Sequence, residues 1–345
     1  MSEEQLLPGI GLDCGTMNFV AARYRLTLTE GQDQPKKDIL TGRMRDAFLD
    51  LPIDSKRMLK LNKVNFVEID GDLIVLGDAA IDYANLFGKE ARRPLQAGLI
   101  SAGEIDAIKV LGYLMKHVLK APQREKEICY FSVPAIPVDA DRDVVYHKGV
   151  LERIISECGF EPIASNEAMA IIFSEAAREN FSGIGISFGS GMTNVAIALE
   201  AMEGLSFSVG RGGDWIDHGA AKSMGATAAR MCALKEEGFN LTAPESREQE
   251  ALAVYYKAHI EYVLDQFIAE FVKIKDRFAI PKPIPIIVSG GTALAGGFLD
   301  FFKQTFEAKK RKFPIEISGI RMASNPLNAV AQGLLVQAAL EYDED

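Results

Sequence analysis

The chain of 345 residues is 48% hydrophobic and 25% charged, with a formal net charge of -10. That length exceeds what one core organises and predicts two domains. The composition excludes a disordered chain, and the acidic surplus argues against direct nucleic-acid binding, which draws on clustered lysine and arginine.

Cys14, Cys129, Cys158 and Cys232 lie scattered, as do the four histidines, so neither a disulfide frame nor a zinc site is expected and a reducing cytoplasm fits. No apolar run reaches membrane length, and the acidic residues near both ends predict a cytoplasmic protein with no intrinsic membrane anchor. In chain order, residues 9–13 and 18–24 read as strands joined by a small-residue turn, a β-hairpin. Residues from about 27 to 90 are polar with poor periodicity and read as an inserted subdomain, with a further hairpin over 64–75 around Asp70-Gly71. Ser101 and Glu104 have capping-box spacing and predict a helix running to residue 119. A strand over 128–133 is stopped by Pro134, and a helix is expected over 140–158. The hairpin plan returns at 183–187 and 193–199 around a turn at 188–192, a duplication that predicts two related domains. Helical spacing then covers 215–235 and 245–278, and a buried strand at 285–289 runs into a glycine-rich turn at 290–294. An apolar helix over 326–341 is expected to pack back on the first domain.

Small residues at a hairpin tip let backbone N–H groups approach phosphate oxygens, and an adjacent carboxylate can hold the water shell of Mg²⁺. Asp13-Cys-Gly-Thr-Met-Asn18 offers both, and Phe188-Gly-Ser-Gly-Met-Thr193 repeats the tip, so two such loops face to face would clasp a triphosphate from opposite sides. Ser289-Gly-Gly-Thr-Ala-Leu294 bares backbone that can lie flat against a purine or ribose.

In this order the segments resemble the actin, heat-shock chaperone and sugar-kinase ATPase superfamily, and within it the bacterial actin homologues of the MreB, ParM and magnetosome-filament kind. Residues 11–18 are similar to the first phosphate motif, 185–193 to the second, and 287–297 to the adenosine motif; Asn166-Glu-Ala-Met-Ala170 and residues 325–333 resemble the two connecting segments. Gly212-Gly-Asp214 resembles the Gly-Gly-Asp segment of MreB, and Lys235-Glu236 the Lys-Glu pair that flanks base and ribose in actin.

The resemblance implies an α/β, actin-like ATPase fold of two related domains, each a mixed β-sheet flanked by helices, with a nucleotide cleft between them. Domain I would comprise residues 1–165 and 318–345 with its insert at about 27–90, and domain II residues 166–317 with an insert at about 218–262. It further implies ATP or ADP with Mg²⁺ as ligands, Asp13 and Glu167 acting on the metal through water, and Glu167 orienting the attacking water. Gly15, Thr16, Met17 and Asn18 would meet the phosphates on one side, and Gly189, Ser190, Gly191, Met192 and Thr193 on the other. Gly213, Asp214, Lys235, Glu236, Gly290, Gly291, Thr292, Ala293 and Leu294 would line the rest of the nucleotide site. One position departs from the pattern: Ser187 stands where the second phosphate motif usually opens with an aspartate, which predicts retained binding with slow hydrolysis. The implied function is an ATP-driven filament of head-to-tail subunits, with a possible protein adaptor for cargo. The alternative is a non-polymerising, ATP-sensing scaffold.

Overall fold

The computed structural model describes residues 3–28, 35–69, 71–275, 278 and 280–342. Its first part runs β1 (Glu3–Leu6), β2 (Ile10–Cys14), β3 (Asn18–Leu28), β4 (Lys36–Arg45), β5 (Phe48–Leu51), α1 (Lys56–Leu61), β6 (Phe66–Ile69), β7 (Asp72–Leu76), α2 (Asp78–Phe87), β8 (Leu95–Gln96), β9 (Leu99–Ile100), α3 (Ala107–Leu119), β10 (Glu127–Val133), α4 (Val144–Glu157) and β11 (Phe160–Asn166). It continues with α5 (Glu167–Glu175), β12 (Gly183–Phe188), β13 (Thr193–Leu199), β14 (Met202–Val209), α6 (Gly213–Met224), α7 (Ala228–Glu237), α8 (Arg247–Ile274), β15 (Ile284–Ser289), α9 (Phe298–Lys309), β16 (Ile317–Met322) and α10 (Ala329–Leu340).

Two main sheets share one connectivity. In the first, β2, β3 and β4 form an antiparallel meander, β10 and β11 add in parallel on the other edge of β2, and β1 continues the pairing along β3. In the second, β12, β13 and β14 repeat the meander, while β15 and β16 add in parallel beside β12. Each predicted hairpin is the opening pair of its meander. Every residue of β12 and β15 is buried, as follows when helices cover both faces of parallel-paired strands, and this is why their apolar runs do not alternate.

Two helices tie the sheets together. The chain leaves β11 of the first sheet into α5, which packs on β12 and β13, and leaves β16 of the second into α10, which packs on β2, β3 and β10. Gly11 and Gly185 occupy matching places, two residues before Asp13 and Ser187. A Cβ there would lie 2.2 Å from the carbonyl oxygen of Ala331 or Ala168, so only glycine admits each helix this close. The two helices meet at Gly333, where a Cβ would fall 1.7 Å from Ala170 O.

Separate cores form under each sheet. Phe188, Ile216, Tyr256, Phe267 and Phe298 belong to the one beneath the second sheet, and Leu12, Phe19, Leu111, Phe131 and Ile154 to the other. The small sheet β5-β7-β6 with α1 and α2 has its own core around Leu49, Leu59, Leu73 and Val75. Between residues 218 and 262 there are only helical segments and connections, and their buried side chains join the core of the second sheet.

Several boundaries differ from expectation. No capping box forms at Ser101: α3 starts behind Asp106, and the Glu104 carboxylate is taken by Arg92 at 3.1 Å. The helix expected from residue 140 begins at Val144, where Asp143 accepts a hydrogen bond from Tyr146 N. The helix expected over 215–235 is two, because Gly225 takes a left-handed φ of 64° and Thr227 caps a fresh start. The final helix begins at Ala329 rather than at Pro326, and the long one spans Arg247–Ile274. The 64–75 hairpin is formed by β6 and β7, while Asp70 at its turn, residues 276–277 of the expected long helix and residues 343–345 of the acidic tail lie outside the described residues.

Candidate functional site

The tips of the two meander hairpins have the same closure. Gly15 N donates to Asn18 O at 3.1 Å, and Gly189 N donates to Met192 O at 3.1 Å. At both glycines a Cβ would crowd that same carbonyl, at 2.8 Å and 2.9 Å. The tips meet: Gly98 N donates to Thr16 Oγ1 at 3.1 Å, and a Cβ on Gly191 would lie within 2.5 Å of Thr16 Oγ1 and within 2.2 Å of Gly98 N. The turn between β8 and β9 is thus a third wall; residues 98–104 resemble the Gly-rich helix entry of MreB in sequence, but that resemblance gives Gly98 no place at the tips.

Asp13 is the partly exposed residue of β2, one before its buried end at Cys14, and its Oδ1 accepts from Ser132 Oγ at 2.9 Å; the same hydroxyl accepts from Cys14 N at 2.8 Å. Removal from water pushes the Asp13 carboxyl up to about 6, against the Ser132 hydrogen bond, which lowers it. Glu167 is the first residue of α5, whose start is capped by Asn166 Oδ1 accepting from Ala168 N and Met169 N. Both its oxygens are engaged, Oε1 by Ser187 Oγ at 2.5 Å and Oε2 by Asn194 Nδ2 at 2.8 Å. Burial first, and the neighbouring Asp13 charge second, push the Glu167 carboxyl up to about 8. Two acids held close in a dry setting resist ionising together, and a cation between them would relieve both.

The other predicted residues divide. Gly213 N donates to Gly189 O at 3.0 Å, Asp214 N to Ser190 O at 2.8 Å, and Thr292 Oγ1 to Gly189 O at 2.9 Å, so the start of α6 and the adenosine-type turn brace the second tip from behind. Gly290, at φ 98°, lies against the Phe188 carbonyl with no room for a Cβ. Gly291 faces open space apart from Leu327, Ala293 is buried and Leu294 is half exposed. Lys235 turns inward to Asp217 at 2.8 Å and Gly213 O at 3.1 Å. Asp214 is paired with Arg93 and Glu236 with Arg45, both across from the first-sheet side. Met17 O accepts from Asp46 N.

Thr193 faces away from the tips. Its hydroxyl donates to Arg211 O at 3.0 Å, so its other partner, His259 Nε2 at 2.9 Å, must be the donor. His259 Nδ1 is then a bare acceptor, buried without a partner, and burial holds the ring neutral with its pKa lowered to about 3.

The residues present would suit a phosphate and a cation on two counts. Ser190 Oγ, at the second tip, is buried and unpartnered, a donor awaiting an acceptor. Among the described residues no three His, Cys, Asp or Glu side chains gather at one point, so a cation beside Asp13 and Glu167 would fill its shell with water and ligand oxygens, as Mg²⁺ does. Sequence reasoning missed Ser132 and Asn194. Asn194 follows Thr193 directly and lies opposite Ser187 in the hairpin ladder, because Phe188 pairs with Thr193 across a four-residue turn, one shorter than the 188–192 turn expected from the sequence; Ser132 carries no local signal.

Residues 9–338 match the Volactin family model. No curated protein matches the chain. In structure it is similar to the MamK double helical filament, with 16% identity over 96% of this chain and 98% of that one and a TM-score of 0.69. It is also similar to MreB 5 of Spiroplasma citri bound to AMPPNP, at 17% identity, 98% and 97% coverage and a TM-score of 0.64. The ethanolamine utilization protein EutJ from Carboxydothermus hydrogenoformans follows at 16% identity, 97% and 90% coverage and a TM-score of 0.52. At these identities the likeness is one of fold.

Proposed function

The chain belongs to the Volactin family and has the actin-like ATPase fold, and from that premise we propose that it binds ATP or ADP with Mg²⁺ between the two hairpins and assembles head to tail into filaments. The observation that carries this reading is the pair of identically closed tips, Gly15–Asn18 and Gly189–Met192, meeting at Thr16 and Gly191. The similar MreB 5 structure holds AMPPNP, and the similar MamK structure is a filament.

In this reading Gly15, Thr16, Met17 and Asn18 cradle phosphates from the first sheet, and Gly189, Ser190, Gly191 and Met192 from the second, with the Ser190 hydroxyl donating. Asp13 and Glu167 hold the metal through water. Gly290 to Leu294 carry the adenosine side. The domain limits 1–165 with 318–345, and 166–317, place one tip on each domain. Bound ATP supplies the phosphoanhydride: hydrolysis joins the water oxygen to the γ-phosphorus and breaks its bond to the bridging oxygen, ADP leaving with the electron pair. Glu167 orients that water, and with Ser187 adding no charge beside it, turnover is slow. Subunits stacked heterologously without a closing rotation form an open polymer.

The test is binding of a fluorescent ATP analogue with and without Mg²⁺, followed by sedimentation and electron microscopy with ATP, with ADP and with neither. Micromolar binding and ATP-dependent pelleting are expected. A protein that binds no adenine nucleotide in Mg²⁺ ends the proposal. One that binds but stays monomeric leaves an ATP-sensing scaffold, the reading that Ser187 favours.

A further inference from the structure

The carboxylate of Glu167 is held by a cross-strand pair. Ser187 on β12 and Asn194 on β13 are direct partners in the ladder, and each sends one donor to a different oxygen of the same carboxylate. Asn194 is 1% exposed, and its amide has a second end. Asn194 Oδ1 accepts from Ala135 N at 3.1 Å, and Ala135 belongs to the other half of the molecule, two residues past the end of β10.

From Ala135 onward the chain lies along the edge of β14. Ala135 O accepts from Ser208 Oγ at 2.8 Å, Ser208 N donates to Ile136 O at 3.2 Å, and Val138 N donates to Ser208 O at 2.9 Å. Asp139 closes the run, its carboxylate accepting from Gly210 N at 2.7 Å and from Tyr262 OH at 2.9 Å. This is an extended segment from the first-sheet side that makes one β-bridge, Pro137 with Ser208, to the second sheet, and its first amide proton ends on Asn194.

We propose that Asn194 is a positioning residue that makes the orientation of Glu167 conditional on the docking of residues 135–139 against β14. The proposal rests on the nucleotide-hydrolysing reading of the site. While the segment is docked, Ala135 N fixes Asn194 Oδ1, which leaves Nδ2 one direction to point, toward Glu167 Oε2. When the segment lifts, Oδ1 loses its fixed donor and is opened to water, so nothing holds the amide in one direction, and Glu167 keeps only Ser187 as a fixed donor. A separation of the two halves at the 135–139 contact therefore lowers the hydrolysis rate without touching any phosphate-contacting atom.

Two variants divide the amide's roles. Asn194→Asp keeps an acceptor for Ala135 N and loses the donor to Glu167, whereas Asn194→Ala loses both. Asp139→Ala loosens the docked segment at its far end. The measurements are affinity for a fluorescent ATP analogue with Mg²⁺, single-turnover hydrolysis, and amide hydrogen exchange over residues 134–138.

Both Asn194 variants are expected to bind nucleotide within about 3-fold of the wild type and to hydrolyse it at least 10-fold more slowly, a separation that simple misfolding does not produce. Asn194→Ala, and not Asn194→Asp, should speed exchange over 134–138. Asp139→Ala should slow hydrolysis in the wild type and add nothing in the Asn194→Asp background. Wild-type hydrolysis in the Asn194 variants, an equal Asp139→Ala effect in both backgrounds, or a wild type that binds ATP and never cleaves it overturns the gate. A wild type that binds no nucleotide overturns the functional reading instead, and unchanged exchange in Asn194→Ala overturns the link whatever the activity.

Discussion

Ser187 Oγ lies 2.5 Å from Glu167 Oε1 and donates its proton to that oxygen in a hydrogen bond; a carboxylate in its place would face another carboxylate over a similar gap. Like charges that close cannot both ionise. Ser187→Asp is therefore expected to destabilise the protein by about 1–3 kcal/mol without a cation, through the lost hydrogen bond and the added repulsion, and Mg²⁺ should recover part of that loss. Urea denaturation with and without Mg²⁺ measures both effects, and a midpoint that is the same in all four conditions refutes the assignment of a cation to this pair. Acid stability draws on buried histidines, His259 and a second one away from the site. His147 is buried, its Nδ1 accepts from Ile100 N at 3.3 Å, and burial lowers its pKa to about 4. Because the folded ring is depressed below the ordinary value near 6.5, its stabilising effect is complete above that value. It is lost as pH falls toward 4, where the unfolded chain takes up a proton that the folded one refuses. His147→Asn should remove up to about 1.4 kcal/mol per pH unit of that slope. The raised Asp13 and Glu167 act in the opposite direction but are present in both proteins, so they cancel in the comparison of their pH–stability curves.

Among the elements, α5 and α10 set how closely the sheets approach, and single glycines decide it. Gly333→Ala should cost about 3 kcal/mol or more, since the new methyl would overlap the Ala170 carbonyl at 1.7 Å and both helices must shift. Gly112→Ala, inside α3 with nothing within 4 Å of the new atom, should stabilise by about 0.5–1 kcal/mol. Thermal unfolding of the pair separates close packing from helix propensity; equal losses in both would contradict the packing account. Elements of this sharply patterned kind were also the legible ones. β2, β3, β12 and β13 show themselves by glycine, small tip residues and β-branched runs, and their repetition exposes the shared plan. β4 does not: most of its side chains face solvent along a sheet edge, so nothing alternates. The helical spacing through 215–235 continues across Gly225 because two packed helices at an angle can present the same apolar period as one. At the site, the tips and Glu167 could be read from local motifs. Ser132, Ala135 and the 97–98 turn could not, because each reaches the site only through tertiary folding.

Across the whole molecule, the side chains expected to line the cleft rim are instead bonded over it. Arg45, at the end of β4, pairs with Glu236 at the end of α7 at 2.7 Å, and Arg93 makes two hydrogen bonds to Asp214 at the start of α6, at 3.4 Å and 3.2 Å. Glu236 is half exposed and the other three are partly so, so each pair adds only about 0–1 kcal/mol to global stability. Their effect on closure is larger in consequence. Both pairs exist only when the two halves are together, so whatever they contribute acts wholly on the open–closed balance. A bias of about 1 kcal/mol is roughly a 5-fold change in that balance. The double variant Arg45→Ala with Arg93→Ala should therefore leave the urea midpoint nearly unchanged and release a fluorescent ATP analogue about 5-fold faster. It should also lose the acceleration of release by salt that screening of these pairs gives the wild type. A release rate equal to the wild type at low salt would mean that the rim pairs follow closure without favouring it, and that the 135–139 segment and the crossed helices alone hold the halves together.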